Sequence, residues 1–452
     1  MKKESLTTGN IYQALVKFAV PFLMANLLQV FYGTTDLLVV GRFASTADVS
    51  AVSIGSQIMA TLTNFILGLS MGATILLGHS FGARRERDMA KTVGTSVWMF
   101  GIIAIVITIL ILCLLDPIVA IMNTPQEAVP ATFQYLLMCA CGLPFIVGYN
   151  VVSAILRGLG DSKTPLLFVA VACIINVILD IVLVGIFSIG AVGAAIATVI
   201  AQAASVIFSL FFLRKRGIGF AITLQDFRFF PDFAAKMLKT GAPVGLQNAL
   251  VGISFLIITL VINKMGLVAS AAVGVSEKLI EFLMLPSIAF GSAVSAMSAQ
   301  NFGAGELRRA KQCMKAGILF SLAFGILVTI FCQFRGDLLT GLFTAETDVI
   351  QSAAQYLKTY SIDCLMVAFV FNMNGYFNGA GYAAFSMLHS LAATFAVRIP
   401  GTIFLSHLPG VTLEMMGCAS PLSTFVSLIL CLFFFLWLKK HPEKLEDRFS
   451  GQ

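Results

Sequence analysis

The sequence predicts an all-α integral membrane protein. Of its 452 residues, 58% are apolar and only 11% are charged, and the mean hydropathy is +0.93. A soluble domain is typically about 25% charged, so a soluble fold is excluded. The apolar residues form runs of the roughly 20 residues that a membrane-crossing helix needs, without the alternation that is typical of membrane β-strands.

Each run predicts one transmembrane helix, and the twelve helices should form two pseudo-symmetric bundles of six. Short polar breaks separate the runs from one another. In chain order, the predicted spans are 11–40, 50–78, 92–115, 130–155, 165–187, 191–213, 237–263, 271–298, 313–334, 350–377, 385–407 and 416–438.

The basic residues predict the orientation of these helices. Of the 29 Lys and Arg residues, 23 lie in one set of segments, and such residues accumulate on the cytoplasmic side of a membrane. We therefore expect both termini in the cytoplasm. The net charge of +7 then reflects topology and contact with anionic lipids, and no nucleic-acid partner is expected. The basic segments are the N-terminus to Lys17, Arg84–Lys91, Arg157 with Lys163, Arg214–Lys239, Arg308–Lys315 and the tail from Lys439.

The second half of the sequence repeats the first at an offset of 221 or 222 residues. This offset spans six helices, an even number, so the halves share one orientation and form a parallel repeat. We expect an N-terminal lobe at 1–213, a basic amphipathic linker on the membrane surface at 214–236, and a C-terminal lobe with a cytoplasmic tail at 237–452. Two such lobes predict a transporter, because rocking them opens a cleft to each side in turn. The aligned positions are Pro21 with Pro243, Asn26 with Asn248, Phe81–Ala83 with Phe302–Ala304, Gln134–Leu136 with Gln355–Leu357, and Gly158–Gly160 with Gly379–Gly381.

The sequence contains no motif for nucleotide hydrolysis or for other enzyme chemistry. The patterns G-x-x-x-x-G-K-[ST] and H-E-x-x-H are absent, and the two G-x-S-x-G matches, Gly68–Gly72 and Gly78–Gly82, lie within or at the end of the predicted helix 50–78 and not at the strand-to-helix turn that a catalytic serine requires. The nine cysteines show no metal-type or disulfide-framework spacing, so we expect free thiols that pack within helices. We therefore expect no enzyme activity and no cofactor, and an ion gradient becomes the default source of energy.

Acidic residues inside the predicted spans mark the candidate site of ion coupling, because charge within a membrane is costly and usually functional. Asp36 and Asp180 fall near the outer ends of spans that run in the same direction, so they should share a depth. Asn176 lies one turn before Asp180 on the same helix face. This face predicts a proton or cation site, with sodium as one candidate ion. The alternatives are that Asp36 keeps its carboxyl group in water at the interface, and that Asp180 and Asn176 serve helix packing.

The C-terminal half carries a different set of charged residues within its spans. Glu277 and Glu281 lie one turn apart, where they either attract a cationic substrate or belong to a local network that Lys278 neutralises. Asp363 and Arg398 lie at similar depths on adjacent spans, which permits a structural charge pair. The four residues other than Lys278 are candidates for substrate binding, with a structural role as the alternative.

Pro21 and Pro243 interrupt equivalent spans in the two halves. Proline removes a backbone hydrogen bond and permits a helix to bend. Each proline is therefore a candidate hinge, and a static kink is the alternative for each.

Five stretches along the sequence form a specific combination. They are Pro21–Gly41 with Thr35 and Asp36, Gly78–Ala83, Leu156–Asp161, Asn176 with Asp180, and Gly190–Gln202. Together they resemble a known family, the multidrug and toxic compound extrusion (MATE) transporters of prokaryotic type, over essentially the whole chain. The resemblance implies export of cationic or amphipathic organic compounds across a prokaryotic plasma membrane in exchange for protons or sodium ions. It also implies a coupling site at Asp36, Asn176 and Asp180, to which Thr198 and Tyr135 contribute.

The nearest alternative is a flippase for a lipid-linked precursor, because a related superfamily uses similarly arranged helices on amphiphilic headgroups. Such a protein should have a strongly cationic cleft, whereas Arg398 is the one clear deep arginine. A membrane-embedded transferase would need a catalytic cluster and a large outer loop, and a passive channel would not need two-state gating. We expect a monomer whose partners are the exported compounds and the surrounding lipids.

Overall fold

The computed structural model describes residues 6–221, 223 and 225–445. These residues form helices and connecting turns, and no strand occurs among them. Eleven helical stretches in this part of the chain are long and apolar enough to cross a membrane, so the prediction of an all-α membrane protein is confirmed. The helices are α1 Ile11–Phe43, α2 Thr46–Gly82, α3 Glu86–Cys113, α4 Leu115–Ile121, α5 Val129–Gly158, α6 Lys163–Asp180, α7 Ala191–Arg216, α8 Pro231–Asn263, α9 Leu267–Gly303, α10 Leu307–Thr340, α11 Thr347–Tyr360, α12 Asp363–Gly379, α13 Ala383–Ala393, α14 Ile399–Ser406, α15 Leu413–Gly417 and α16 Ala419–Lys440. Two π-helical segments, Ile181–Ile186 and Thr394–Arg398, follow α6 and α13.

The tenth predicted span, 350–377, is divided between α11 and α12. The turn between them includes Ser361, whose hydroxyl donates a hydrogen bond of 2.9 Å to the Lys358 carbonyl oxygen. Neither helix alone has the length of about 20 residues that a bilayer core requires. The two helices together cover the predicted span, because hydropathy averages over a turn that local hydrogen bonding produces.

The described residues divide into two compact units, and the divisions fall inside α1 and α8. Unit 1 comprises Pro21–Gly241. Unit 2 comprises the described residues up to Val20 and those from Ala242 onward. Pro21 therefore begins the unit 1 part of α1, and Pro243 is the second residue of the unit 2 part of α8. The two candidate hinges coincide with the places where a helix passes from one unit to the other.

The later part of the connection between α7 and α8 packs on α3 within unit 1. Trp98 donates its indole N–H to the Phe227 carbonyl oxygen at 2.9 Å. Gly94, one turn earlier on α3, allows the Asp226 carbonyl group to approach so closely that a Cβ atom would clash with it. These contacts fix a stretch of the predicted linker against the helices of unit 1.

Small residues bring the helices of unit 1 close together. Gly55 of α2 leaves room for the ring of Tyr135 on α5. Thr74 of α2 donates its hydroxyl to the Ala154 carbonyl oxygen of α5 at 2.9 Å. Close approach through small residues and interhelical hydrogen bonds is how helices associate where lipid weakens the hydrophobic effect.

Unit 2 has its own core, in which α9 and α12 approach closely at Gly291 and Gly375. Nearby, the rings of Phe377 and Phe434 meet edge to face, with 5.2 Å between their centres. Phe434 also stacks on Phe385 with 3.8 Å between ring centres. This aromatic group joins α12, α13 and α16 through large side chains, of which Phe377 is fully buried.

Candidate cation-coupling site

Three helices of unit 1 place four polar side chains at one point. Asp36 comes from α1, Asn176 and Asp180 come from α6, and Thr198 comes from α7. The Thr198 hydroxyl donates a hydrogen bond of 3.1 Å to Oδ2 of Asp36. The Asn176 amide donates one of 3.3 Å to Oγ1 of Thr198. These two bonds connect α6 to α7 and α7 to α1.

The α-helical geometry of α6 ends directly after Asp180. The next segment, Ile181–Ile186, is π-helical, and the Phe187 amide donates to the Val182 carbonyl oxygen at 2.9 Å. Widened turns of this kind are rare in helices and often occur at functional sites.

The acidic and amide side chains of the site are buried within unit 1. Asp36 is 4% exposed, Asn176 is 1% exposed and Asp180 is 0% exposed. This burial argues against the alternative that Asp36 keeps its carboxyl group in water. Among the described residues, no donor reaches either carboxylate oxygen of Asp180, Oδ1 of Asp36 or Oδ1 of Asn176. An unpaired buried charge costs several kcal/mol, so these side chains would need a bound proton or cation to stay buried at low cost.

The carboxyl groups of Asp36 and Asp180 face each other. Two adjacent carboxylates repel when both are charged, and one proton relieves the repulsion because the protonated group can donate to its neighbour. Oxygen ligands also suit a hard metal cation. No cluster of three or more His, Cys, Asp or Glu residues with metal-site geometry occurs in the described ranges. Asp36, Asp180 and Asn176 nevertheless offer oxygen atoms of the kind to which a proton or a sodium ion binds.

Tyr135 borders this site and does not join its hydrogen bonds. It is buried on α5, where its ring packs against Gly55 and its hydroxyl contacts Cys139. Asp36 lies within electrostatic range of the Tyr135 hydroxyl, although no hydrogen bond connects the two in the part of the chain that the structure describes. Tyr135 therefore contributes to the surroundings of Asp36.

Tyr32 and Gln202 extend the polar group beyond the residues that the sequence singled out. The Gln202 amide donates a hydrogen bond of 3.1 Å to the Tyr32 hydroxyl. Tyr32 lies one helical turn before Asp36, and Gln202 lies one turn after Thr198. The same spacing rule that paired Asn176 with Asp180 would have found both residues.

Asp363 and Arg398 of unit 2 do not form the direct charge pair that their depths permit, since no ion pair within 4.0 Å joins them among the described residues. Arg398 donates to the Tyr360 hydroxyl at 3.2 Å, and Asp363 accepts from the Ser420 hydroxyl at 2.9 Å. The Arg398 guanidinium also lies 4.0 Å from the ring centre of Phe255. The two charges are thus held by separate neutral partners.

Glu277 and Glu281 have different partners in unit 2. Glu277 accepts a hydrogen bond of 2.9 Å from the Thr259 hydroxyl. Glu281 pairs with Lys278 at 3.6 Å, and both of these side chains are exposed. Lys278 therefore neutralises Glu281, and Glu277 is held by a hydroxyl group on α8.

Solved structures share this fold. The chain matches "Outward-facing conformation of a multidrug resistance MATE family transporter of the MOP superfamily" with a TM-score of 0.90 and 20% identity, over 99% of both chains. It matches "Crystal structure of MATE in the bent conformation" with a TM-score of 0.90 and 21% identity, over 100% of this chain and 99% of the other. The chain therefore has the same fold as these structures over essentially its whole length.

Sequence comparison identifies the family. The family model MatE matches residues 21–182 and 243–404, which together exceed half of the chain and start 222 residues apart, the offset of the sequence repeat. The chain therefore belongs to the MatE family. "Probable multidrug resistance protein YpnP" of Bacillus subtilis (strain 168) is 29% identical over 409 residues, which are 90% of this chain and 91% of the relative. "Multidrug export protein MepA" of Staphylococcus aureus (strain MSSA476) is 25% identical over 418 residues, which are 91% and 92% of the two chains.

Proposed function

We propose that this chain is a secondary active antiporter that exports cationic or amphipathic organic compounds in exchange for protons or sodium ions. The observation that carries the proposal is the buried pair of Asp36 and Asp180, whose carboxylate oxygens lack sufficient donors among the described residues. Such a pair binds a cation when it is away from water and releases it when its surroundings change. Relatives named as multidrug resistance and multidrug export proteins support the substrate class.

The proposed orientation places the protein in a prokaryotic plasma membrane with both termini in the cytoplasm. The excess of Lys and Arg in one set of segments supports this topology. Asp36 and Asp180 then lie toward the outer side, and the C-terminal end of α5, with Arg157, lies toward the cytoplasm. The protein acts as a monomer in this proposal.

The proposed cycle couples the ion to a change of conformation. A cation at the carboxyl pair removes negative charge from Asp36 and so weakens the hydrogen bond that Thr198 donates to it. Pro21 lies on the same helix as Asp36, so a change at the site acts on a helix that already has a candidate hinge. Alternating access follows because the ion-loaded and cargo-loaded forms favour different conformations.

The test is export of a fluorescent organic cation from reconstituted vesicles under a pH gradient, a sodium gradient or neither. We expect Asp36→Asn and Asp180→Asn to abolish gradient-driven export while the melting temperature in detergent stays near that of the wild type. Asp116→Asn is the matched control, because Asp116 is exposed on α4. Wild-type export in both site variants would contradict the proposal. Turnover of a lipid-linked precursor without ion dependence would instead favour the flippase.

A further inference from the structure

A stripe of polar side chains runs along α1 away from the candidate coupling site. Spaced three or four residues apart, its members are Asn26, Gln29, Tyr32 and Asp36. Side chains at this spacing lie on one face of a helix, and the stripe covers about 15 Å of helix length. Gln202 of α7 contacts the stripe through its 3.1 Å hydrogen bond to Tyr32. A line of hydrogen-bonding groups therefore leads from the carboxyl pair into the interior of unit 1.

Two small cavities adjoin this stripe. They are the inner cavity, beside the coupling site, and the end cavity, beside the C-terminal end of α5. The polar residues that line the inner cavity are Gln29, Tyr32, Tyr149, Gln202 and Ser205. The polar residues that line the end cavity are Asn26, Gln29, Tyr149, Asn150, Arg157 and Ser162. Because Gln29 and Tyr149 line both cavities, these two side chains form the boundary between them.

Both cavities are narrow, and the hydrogen bond between Gln202 and Tyr32 separates the inner cavity from the coupling site. The end cavity has space for about one water molecule. The inner cavity does not admit a water molecule in this conformation. Tyr32 and Gln202 line the inner cavity and lie one turn from Asp36 and Thr198, so their hydrogen bond lies between the cavity and the site. Rotation of the Tyr32 or the Gln202 side chain would break this bond and connect the inner cavity with the coupling site.

A buried cation borders the end cavity. Arg157 is 8% exposed, and its guanidinium carbon lies 5.1 Å from the ring centre of Phe22. Its Nε atom has no hydrogen-bond partner in the ranges that the structure describes. The positive charge of a buried guanidinium repels a cation that rests beside it, so the end cavity is a poor place for a sodium ion to bind.

We propose that a proton, and not a metal ion, leaves the carboxyl pair for the cytoplasmic side through the inner and end cavities. This inference rests on the proposed function, in which the pair of Asp36 and Asp180 has an ion to release. The proton passes from a carboxyl group to water that enters the inner cavity when the Gln202–Tyr32 bond opens, and the charged carboxylate remains behind.

The boundary between the cavities completes this route. The Tyr149 hydroxyl can take part in a proton relay together with water, and the Gln29 amide offers a hydrogen-bonding group at the same boundary. A hydrated sodium ion needs more room than either cavity has, and it would meet the charge of Arg157. The geometry therefore assigns Gln29, Tyr149 and Gln202 a role in ion selectivity that is separate from ion binding.

The test uses variants that remove hydrogen-bonding groups from the route and keep the carboxyl pair. Gln202→Leu removes the amide that bonds to Tyr32, and Tyr149→Phe removes only a hydroxyl. Gln247→Leu is the matched control, because it removes a glutamine amide of unit 2 that donates to Ser390 at 2.9 Å. Two rates are measured in vesicles: export driven by a pH gradient, and exchange of labelled for unlabelled cargo without a gradient, which requires no net release of ions.

We expect both route variants to slow pH-driven export by about tenfold or more, with cargo exchange and melting temperature unchanged. Gln247→Leu should keep both rates, and a sodium gradient should not drive export by the wild type. Unchanged export in both route variants, while Asp36→Asn abolishes it, would overturn the route and leave the proposed function standing. The route would also be overturned if the route variants lost both pH-driven export and cargo exchange, or if Gln247→Leu slowed export as much as they do. Normal export by Asp36→Asn would contradict the proposed function first, and sodium-driven export by the wild type would overturn the assignment of the proton.

Discussion

Thr198 of α7 donates its hydroxyl to Asp36 of α1 at 3.1 Å. The same oxygen accepts a hydrogen bond of 3.3 Å from Asn176 of α6. A hydroxyl has one hydrogen to donate, and Thr198 directs it to a carboxylate oxygen. The bond is therefore strongest when Asp36 is charged, and Thr198 connects the charge of Asp36 to the packing of two other helices.

Thr198→Val should impair coupled transport, because it keeps the shape of the side chain and removes its hydrogen bond. A hydrogen bond to a charged group contributes about 1.5–3 kcal/mol, so the Asp36 carboxylate should be correspondingly less stable. Thr198→Ser keeps the hydroxyl and is the control. The measurement is the rate of gradient-driven export in vesicles; equal rates for the valine and serine variants would contradict this role.

Gly94→Ala should destabilise the protein, because its Cβ would clash with the Asp226 carbonyl group. Overpacking of this kind typically costs about 1–3 kcal/mol. Gly101→Ala is the matched control on the same helix, since a Cβ there meets nothing within 4 Å. Thermal unfolding in detergent should show a lower melting temperature for the first variant only, and a similar value for both would show that the packing on α3 tolerates the methyl group.

Arg398 and Phe255 should be energetically coupled, because the guanidinium lies 4.0 Å from the ring centre. A cation–π contact contributes about 0.5–2 kcal/mol. A double-mutant cycle with Arg398→Gln and Phe255→Leu, measured by unfolding in detergent, isolates this contribution. Strictly additive effects would show that the ring serves only as packing.

Acid should loosen the connection between α7 and α8. Thr223 donates its hydroxyl and its amide to Oδ2 of Asp226 at 2.6 and 2.8 Å, and these bonds hold the pKa of Asp226 below its ordinary value. The resulting stabilisation is present above the ordinary pKa of the carboxyl group and is lost as the pH falls through the lowered one. In a Trp437→Phe background, the fluorescence of Trp98, which donates to the Phe227 carbonyl oxygen, reports the change.

The control for this titration is Asp226→Asn, which cannot ionise. Its Trp98 emission should not follow the same acid transition. A transition of equal size and midpoint in the asparagine variant would assign the pH dependence to other groups.

The broad features of the fold and the centre of the candidate site follow from sequence pattern. Run length and basic residues predict helices and their directions, and counting along them places Asp36 and Asp180 at one depth. The turn at Ser361 is not predicted, because it depends on a local hydrogen bond that does not alter mean hydropathy. The separation of Asp363 from Arg398 is also missed, since helix spacing gives depth and does not reveal that Ser420 and Tyr360 are nearer partners.

The residues that line the inner and end cavities show a second limit of prediction from sequence pattern. Tyr32 and Gln202 are detectable as neighbours of Asp36 and Thr198 at helical spacing. Arg157, by contrast, belongs to a basic segment that predicts a cytoplasmic helix end, and sequence alone does not show that its side chain folds inward onto Phe22. Burial of a charged side chain near a helix end is decided by tertiary packing.

Because α1 and α8 each supply residues to both units, separate expression of the two halves should fail. A cut between α7 and α8 would deprive the first fragment of 231–241, whose backbone lies against α2 at Gly72. That fragment would also retain the described residues up to Val20, which belong to unit 2. Neither fragment would contain a complete unit. Only co-expression of both fragments, which supplies 231–241 to unit 1 and the described residues up to Val20 to unit 2, should yield a stable protein.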